Sequence, residues 1–321
     1  MFDFLRKYGT LIGFTAIISI FTWQLPDTFL SARNLMNISQ QISMLLVVAT
    51  TMTFVMVMND FDLSVGSMAS LAGVVAAVLF SMETNIFLSL IVAISVGFFG
   101  GLFNGFLVSY IGILPFVATL GTLTIFSGMA FIISGGKTIF GRDIPSEFSN
   151  FARDGFVIDF IFANAIKIPF LTVTAFCILV ICWIILEQSQ FGRRLYAIGG
   201  NYEAAELAGV QVKKLRLIAF GLTGTGAAIA GLMYASRVAS ANPTQGSGLM
   251  LDAIAAVFLG MTMSAQGEPR VFNTFIGVLI LGILDNGLTQ MNVDSYVREV
   301  LVGCIVILAI GFAAISKNRF S

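Results

Sequence analysis

Four carboxylates lie next to long apolar runs and are the residues whose chemistry could serve a transport site: Asp60, Asp62, Asp252 and Asp285. A carboxylate deep in a membrane protein can bind a proton or a sodium ion, as ion-driven carriers require. All four lie close to the predicted ends of apolar runs, which favours helix capping or an interfacial position. We therefore expect an energy source outside this chain, and an uncharged solute handled by hydroxyl and amide groups.

Other kinds of chemistry find little support in the sequence. The chain has no histidine, which excludes His-based catalysis and the commonest metal ligand. The three cysteines lie in apolar runs without CxxC spacing. Ser134–Thr138 reads SGGKT like the end of a phosphate-binding loop, but Phe131 stands where that loop needs its first glycine. We therefore predict no catalytic residue, no metal and no cofactor, and hence a protein that is not an enzyme.

The composition is that of a membrane protein. Hydrophobic residues make up 57% of the chain, charged residues 11%, and the mean hydropathy is +0.95. Soluble domains contain about 25% charged residues. The net charge of zero gives no reason to expect nucleic acid as a partner.

A helix needs about 20 mostly apolar residues to cross a bilayer, and the sequence contains ten candidate runs. They lie near 9–24, 41–58, 64–82, 86–109, 112–134, 168–186, 216–237, 250–264, 271–288 and 297–315. Basic residues favour the cytoplasmic side, so Arg6 and Lys7, with Lys317 and Arg319, place both termini there. The predicted fold is a single all-α transmembrane domain over residues 1–321. GGLFNG (100–105) and GILDNG (282–287) suggest a possible internal repeat.

The segment 191–216 is the most polar stretch between two spans and has helix signals of its own. Gly199-Gly200 is expected to break the chain, Asn201 to cap a helix of about two turns, and Gly209 to end it. A helix this short needs a surface to lie against. Ala204, Ala205, Ala208 and Gly209 could form a packing surface, and Tyr202, Glu206 and Leu207 could enter a partner's groove; an ordinary solvated loop remains the alternative. The residues concerned are Tyr202, Glu203, Ala204, Ala205, Glu206, Leu207 and Ala208.

Two further local patterns concern helix packing. The segment MNDFDLSVGS (58–67) interrupts two apolar runs; a cytoplasmic turn is favoured over an interrupted helix lining a cavity. Gly97, Gly101 and Gly105 recur at every fourth residue, which allows another helix to approach closely.

Several colinear blocks together resemble the ribose-type (monosaccharide) permeases of bacterial ABC importers, within the branched-chain amino-acid/sugar permease superfamily. The blocks are FDLSVGSMASLAGVVAAV (61–78), GGLFNGFLV (100–108), ILPFVATLGTLTIFSGMA (113–130), FGRRLYAIGGNYEAAELAGV (191–210), SANPTQGSGLMLDAIAAVFLGMT (240–262) and GVLILGILDNGL (277–288). The chain departs from the family in having Asn59-Asp60-Phe61 where Gly-Gly-Ile is usual, and in lacking a glycine-rich stretch near 260–268.

The resemblance implies a dimerising permease of the bacterial plasma (inner) membrane, paired with a second copy or a homologous permease. A cytoplasmic ATP-binding subunit would supply energy, an extracytoplasmic binding protein would deliver the substrate, and segment 202–208 would be the coupling helix. Asn104, Thr119, Asn286 and Gln290 are candidates for a polyol path, since amides and hydroxyls suit such a solute. A branched-chain amino-acid or nucleoside permease is the alternative within the superfamily, and an ion-coupled carrier is the alternative outside it.

Overall fold

The computed structural model describes residues 2–160, 163–264 and 266–294, with isolated residues between 296 and 311. Its α-helices are α1 Phe2–Gln24, α2 Ala32–Met56, α3 Val65–Ser81, α4 Ile86–Phe106, α5 Pro115–Ser134, α6 Ser146–Arg153, α7 Phe170–Trp183, α8 Gln190–Gly200, α9 Tyr202–Leu207, α10 Val212–Val238, α11 Leu249–Met261 and α12 Val271–Gln290. One π-helical turn extends α4 to Ile111 and another extends α7 to Gln188.

The predicted all-α polytopic architecture is confirmed. Within the described residues, nine of the ten predicted spans coincide with helices, namely α1 to α5, α7 and α10 to α12. Six of these are long and apolar enough to cross a membrane, and three are shorter apolar helices. The tenth predicted span, 297–315, falls largely outside the described residues.

Helices α2 and α10 form the centre of the bundle. Every residue of α2 from Ile42 to Met56 is buried, and α10 packs against α2, α3 and α4. The contact with α4 is close because glycines meet there: a Cβ atom on Gly101 would run into the backbone of Phe220, and one on Gly224 would run into the backbone of Gly97. Small residues thus let two helix backbones touch without a hydrophobic driving force between them.

The short strands of the described residues lie at one end of the bundle, which will be called the hairpin end. Strands β2 (Gly155–Phe160) and β3 (Ala163–Pro169) pair antiparallel with Gly155 opposite Pro169. Two further strands, β1 (Ile139–Phe140) and β4 (Ser240–Ala241), link the loop after α5 to the loop after α10. The amphipathic helix α6 lies over α10, where Ser236 donates a hydrogen bond of 2.6 Å to the carbonyl of Phe148.

The opposite end carries α8 and α9 and will be called the α9 end. The expectation that Gly199-Gly200 breaks the chain is wrong, because α8 continues through both glycines. The change of direction comes at Asn201, whose backbone is extended at φ −158° and whose Oδ1 accepts a hydrogen bond of 2.9 Å from the amide of Ala204. Gly209 has φ +81°, a left-handed conformation that suits glycine.

The interruption between α2 and α3 is not the simple turn that the sequence favours. Residues 57–64 are non-helical but packed inside protein: Asp60 is 3% exposed and Asp62 is 1% exposed. Asn59, the one exposed residue of this segment, takes a left-handed φ of 62°. Asp62 forms the local turn by accepting from both the amide and the hydroxyl of Ser64, at 2.9 and 2.6 Å. The amides of Asp60 and Ser64 thus find acceptors within the protein, at the carbonyl of Val55 and the carboxylate of Asp62.

Candidate functional site

A polar cavity of about 490 Å³ lies between helices α2, α10, α11 and α12. Its apolar wall consists of Ile42, Met44, Leu45, Leu249, Leu281 and Gly282. Its polar wall consists of Gln41, Tyr234, Arg237, Asp252, Asp285 and Thr289. Pockets that bind small molecules have volumes of roughly 300–1,000 Å³ and combine apolar walls with a few polar groups, so this cavity has the size and chemistry of a solute site.

Chain direction places the cavity in the hairpin-end half of the bundle. Arg237 lies in the last turn of α10, and Asp252 lies in the first turn of α11. Asp285 and Thr289 lie one helical turn apart near the end of α12. The side chains of Asp252 and Thr289 are exposed, so the cavity opens to its surroundings.

The cavity contains both signs of charge. Gln41 donates a hydrogen bond from Nε2 to Oδ2 of Asp285, which holds that carboxylate at the wall between α2 and α12. Arg237 supplies a guanidinium group and Asp252 a second carboxylate. Carboxylates and amides can accept or donate to sugar hydroxyls, while the arginine can bind an acceptor oxygen. This cavity therefore carries charged groups beside the amide and hydroxyl groups that the sequence predicts for an uncharged solute.

The sequence carries a signal for two of these residues, because Asp252 and Asp285 are carboxylates next to apolar runs. Their position near the predicted span ends favours capping, and the structure shows a different role. In the structure the relevant helices surround an open cavity at that depth, so residues near helix ends line it. Gln41 and Arg237 reach the cavity through the packing of four helices, which no local sequence pattern predicts.

The four predicted path residues do not come together, and none of them lines this cavity. Asn104 and Thr119 contact the interruption at the α9 end. Asn104 donates to the hydroxyl of Ser64 at 2.8 Å, and Thr119 lies 3.3 Å from the carbonyl of Phe61. Thr119 also bonds its own helix at the carbonyl of Pro115, at 2.8 Å. These contacts are those of groups that hold helices together.

The other two predicted path residues lie towards the hairpin end. Asn286 and Gln290 share a face of α12, and Gln290 donates to Oδ1 of Asn286 at 2.9 Å. The same oxygen accepts from Asn34 on α2 at 3.0 Å, and Asn34 also donates to the carbonyl of Phe29. This amide network ties α12 to the start of α2, next to the cavity and outside its wall.

The helix α9 presents most of its surface to the outside. Of residues 201–209, only Ala205 is buried, where α9 packs on α8 and α10. Leu207 is 90% exposed, and Tyr202 is also exposed. Glu203 and Glu206 are exposed on the same short helix. An apolar side chain held out on a fixed helix, beside two carboxylates, is suited to contact with another protein.

Helix α8, on which α9 packs, is itself held by a contact with the connection between α11 and α12. Tyr196 donates from its hydroxyl to the carbonyl of Pro269 at 2.8 Å, in the connection between α11 and α12. Burial, followed by the nearby charge of Glu187, raises the pKa of Tyr196, so its hydroxyl keeps the proton that it donates. Glu187 itself accepts from the amide of Val271 at 2.9 Å and so caps the start of α12.

Curated relatives align over nearly the whole chain. The ribose import permease protein of Bacillus subtilis is 35% identical over 306 residues, covering 95% of this chain and 92% of that protein. The D-allose transport system permease protein of Escherichia coli is 33% identical, covering 96% and 91%. The galactose/methyl galactoside import permease protein of Escherichia coli is 32% identical, covering 98% and 96%. No match to a solved structure was found.

A family model supplies the classification. Residues 34–310 match the model described as branched-chain amino acid transport system / permease component, a region that includes the polar cavity and helices α8 and α9. Together with the relatives, this identifies a transport subunit rather than an enzyme. The chain is a multi-pass membrane protein that belongs to the family of permease components of branched-chain amino acid transport systems.

Proposed function

We propose that this permease carries a monosaccharide or a related polyol inward through the polar cavity between α2, α10, α11 and α12. The observation that carries the proposal is the combination of size and lining: about 490 Å³, with amide, hydroxyl, carboxylate and guanidinium groups on apolar helices. A sugar presents many hydroxyl groups that both donate and accept, which such a mixed lining can satisfy. The relatives named for ribose, D-allose and galactose support this choice of substrate class.

The permease is one component of an importer. Import permeases of this family work with an ATP-binding subunit and a substrate-binding protein. We propose that α9 docks on the ATP-binding subunit, because Leu207, Tyr202, Glu203 and Glu206 are exposed on a helix anchored by Ala205. ATP-driven closure of two such subunits would draw paired permeases together and switch the side to which their cavities open.

Orientation and domain organisation follow from the same proposal. The α9 end faces the cytoplasm, since the exposed Arg193, Arg194, Lys213 and Lys214 surround α9. The hairpin end then faces the binding protein, and both termini are cytoplasmic. Residues 1–321 form one transmembrane permease domain, with 191–216 as its coupling loop, and the permease pairs with a second copy or a homologous chain in the bacterial plasma membrane.

An amino acid is the second candidate substrate, because the cavity carries both signs of charge. A zwitterion would place its carboxylate against Arg237 and its ammonium group against Asp252 or Asp285. The family model is named for branched-chain amino acid transport. Leucine uptake that exceeds sugar uptake would therefore favour this candidate over the proposal.

The test is uptake into vesicles that hold the permease with its ATP-binding subunit and its substrate-binding protein. Radiolabelled ribose, allose, galactose and leucine are offered separately, with and without ATP. ATP-dependent uptake of one of the sugars, and none of leucine, supports the proposal. Uptake by the permease alone, driven by a proton or sodium gradient, would instead make it an ion-coupled carrier and overturn the proposal.

A further inference from the structure

The interruption formed by residues 57–64 makes two polar contacts with the segment that leads into and out of α9. Asn59 donates from its side chain to the carbonyl of Gly199 on α8 at 2.8 Å. Asp60 accepts two hydrogen bonds from Arg216 on α10, from Nε to Oδ2 and from Nη2 to Oδ1, each 2.5 Å long. The polar contacts thus reach both the helix before α9 and the helix after it.

The pair of Asp60 and Arg216 is unusual in its burial. The side chain of Asp60 is 4% exposed and that of Arg216 is 18% exposed. Burial raises the pKa of Asp60 by more than the hydrogen bonds and charge of Arg216 lower it. Desolvation therefore makes this pair costly to form, and a two-point contact between a planar guanidinium and a carboxylate fixes the relative position of the two segments.

Close backbone contact reinforces the polar contacts. A Cβ atom on Gly199 would run into the carbonyl oxygen of Val57, so α8 rests directly on the end of α2. This close approach places the carbonyl of Gly199 within reach of the Asn59 side chain.

The other side of the interruption is fixed to α4 and α5. Asp62 accepts from Ser64, and Asn104 on α4 donates to the hydroxyl of Ser64 at 2.8 Å. Thr119 on α5 contacts the carbonyl of Phe61. The interruption is thus a polar junction at which α2, α3, α4, α5, α8 and α10 meet inside an apolar bundle.

Helix α2 connects this junction to the polar cavity. It is continuous from Ala32 to Met56, so Gln41 on the cavity wall and Met56, which directly precedes the junction, lie on one helix. At 1.5 Å per residue, Gln41 and Met56 are roughly 22 Å apart along the helix axis. Because α2 is buried without interruption from Ile42 to Met56, we expect a displacement at the junction to move that whole stretch of the helix.

We propose that Asn59 and Asp60 are positioning residues that transmit movement of α8 and α9 to α2, through Gly199 and Arg216 respectively. This inference rests on the proposed function as an ATP-driven permease. Loosening the two contacts would let α8 and α9 move while α2 stays behind, so ATP would be hydrolysed with less transport.

The test compares transport with ATP hydrolysis in the same vesicles, using the full importer and the sugar that the wild type carries among ribose, allose and galactose. The variants are Asn59→Ala, Asp60→Asn and the double variant Asp60→Asn/Arg216→Gln, which leaves no uncompensated charge. The expected result is intact assembly and ATP hydrolysis, with the number of sugar molecules carried per ATP reduced about tenfold. The exposed pair of Lys167 and Asp154, 3.1 Å apart within one hairpin, supplies the control variant Lys167→Gln.

An unchanged ratio of transport to hydrolysis in Asn59→Ala and in the double variant would overturn the inference. So would an equal loss of that ratio in Lys167→Gln. Asn59 is exposed, so its truncation tests the inference even where the variants of Asp60 fail to fold. If the wild type itself shows no ATP-driven sugar uptake, the proposed function fails, and that result is separate because it precedes any comparison of variants.

Discussion

Gln41 on α2 donates a hydrogen bond to the carboxylate of Asp285 on α12, and this contact joins the two helices at the wall of the polar cavity. An amide that orients a carboxylate in a cavity fixes where that carboxylate can accept from a solute. The neighbouring Gln40 has a different partner. Its Nε2 lies 3.4 Å from the carbonyl oxygen of Ala152 on α6.

Replacing Gln41 by alanine should therefore slow sugar uptake by about tenfold at saturating binding protein. The expected loss corresponds to about 1.4 kcal/mol, within the range of a hydrogen bond to a charged group. The measurement is the initial uptake rate per permease in vesicles. Gln40→Ala is the matched control and should change the rate by less than about twofold. Equal losses in the two variants would show that the cavity wall has no special role.

Leu207 should be required for assembly with the ATP-binding subunit. Its side chain is 90% exposed on α9. If α9 docks as proposed, a carboxylate in place of this leucine would be buried in an apolar contact, which is unfavourable. We expect Leu207→Asp to weaken binding of the ATP-binding subunit by at least about tenfold, while Leu207→Met retains most of it. Affinity purification with quantified subunits, followed by a binding titration in detergent, measures the effect.

The same variants separate docking from folding. Because Leu207 makes so little contact with its own chain, Leu207→Asp should leave the thermal unfolding temperature of the isolated permease unchanged. Normal binding by Leu207→Asp would mean that α9 is a linker and that the proposed coupling loop is misassigned.

Gly101 should be essential for the packing of α4 on α10. A Cβ at this position would collide with the backbone of Phe220, which cannot rotate away as a side chain can. We expect Gly101→Ala to lower the free energy of unfolding by about 1–3 kcal/mol. Thermal or denaturant unfolding in a mild detergent measures it.

Gly121 on α5 provides the matched control for that substitution. A Cβ on Gly121 would meet no atom within 4 Å. Alanine has a higher helix propensity than glycine by about 1 kcal/mol, so Gly121→Ala should be neutral or stabilising. A similar loss of stability at both glycines would mean that backbone collision is not the cause.

Local sequence patterns predicted the parts of this fold that depend on local physics. The apolar runs gave the helices within the described residues, and Asn201 with Gly209 marked both ends of α9. The four-residue spacing of Gly97, Gly101 and Gly105 predicted a close helix contact without naming the partner, which is α10. Gly199-Gly200 predicted a helix break that is absent: Gly199 is required by its contact with the end of α2, although glycine has a low helix propensity. A Cβ on Gly200 would meet no atom within 4 Å.

The polar sites could not be predicted in the same way, because they depend on contacts between distant segments. Asp60 pairs with Arg216, 156 residues away, and Gln41 pairs with Asp285, 244 residues away. The departure of Asn59-Asp60 from the Gly-Gly of the resembled family marked this position as different. It did not predict that Asn59 contacts α8, which precedes α9, or that Asp60 contacts α10, which follows it.

The buried pair of Asp60 and Arg216 should show strong coupling in a double-mutant cycle of stability. Arg216→Gln alone leaves a buried carboxylate without its cation, and we expect it to lower the free energy of unfolding by about 3–5 kcal/mol. Adding Asp60→Asn removes that charge, so the double variant should regain much of the loss. The exposed pair of Lys167 and Asp154 is the reference cycle and should give a coupling energy of about 0–1 kcal/mol. If the two cycles give the same small value, Asp60 and Arg216 are not a fixed contact, and movement of α8 and α9 has no rigid connection to α2 through them.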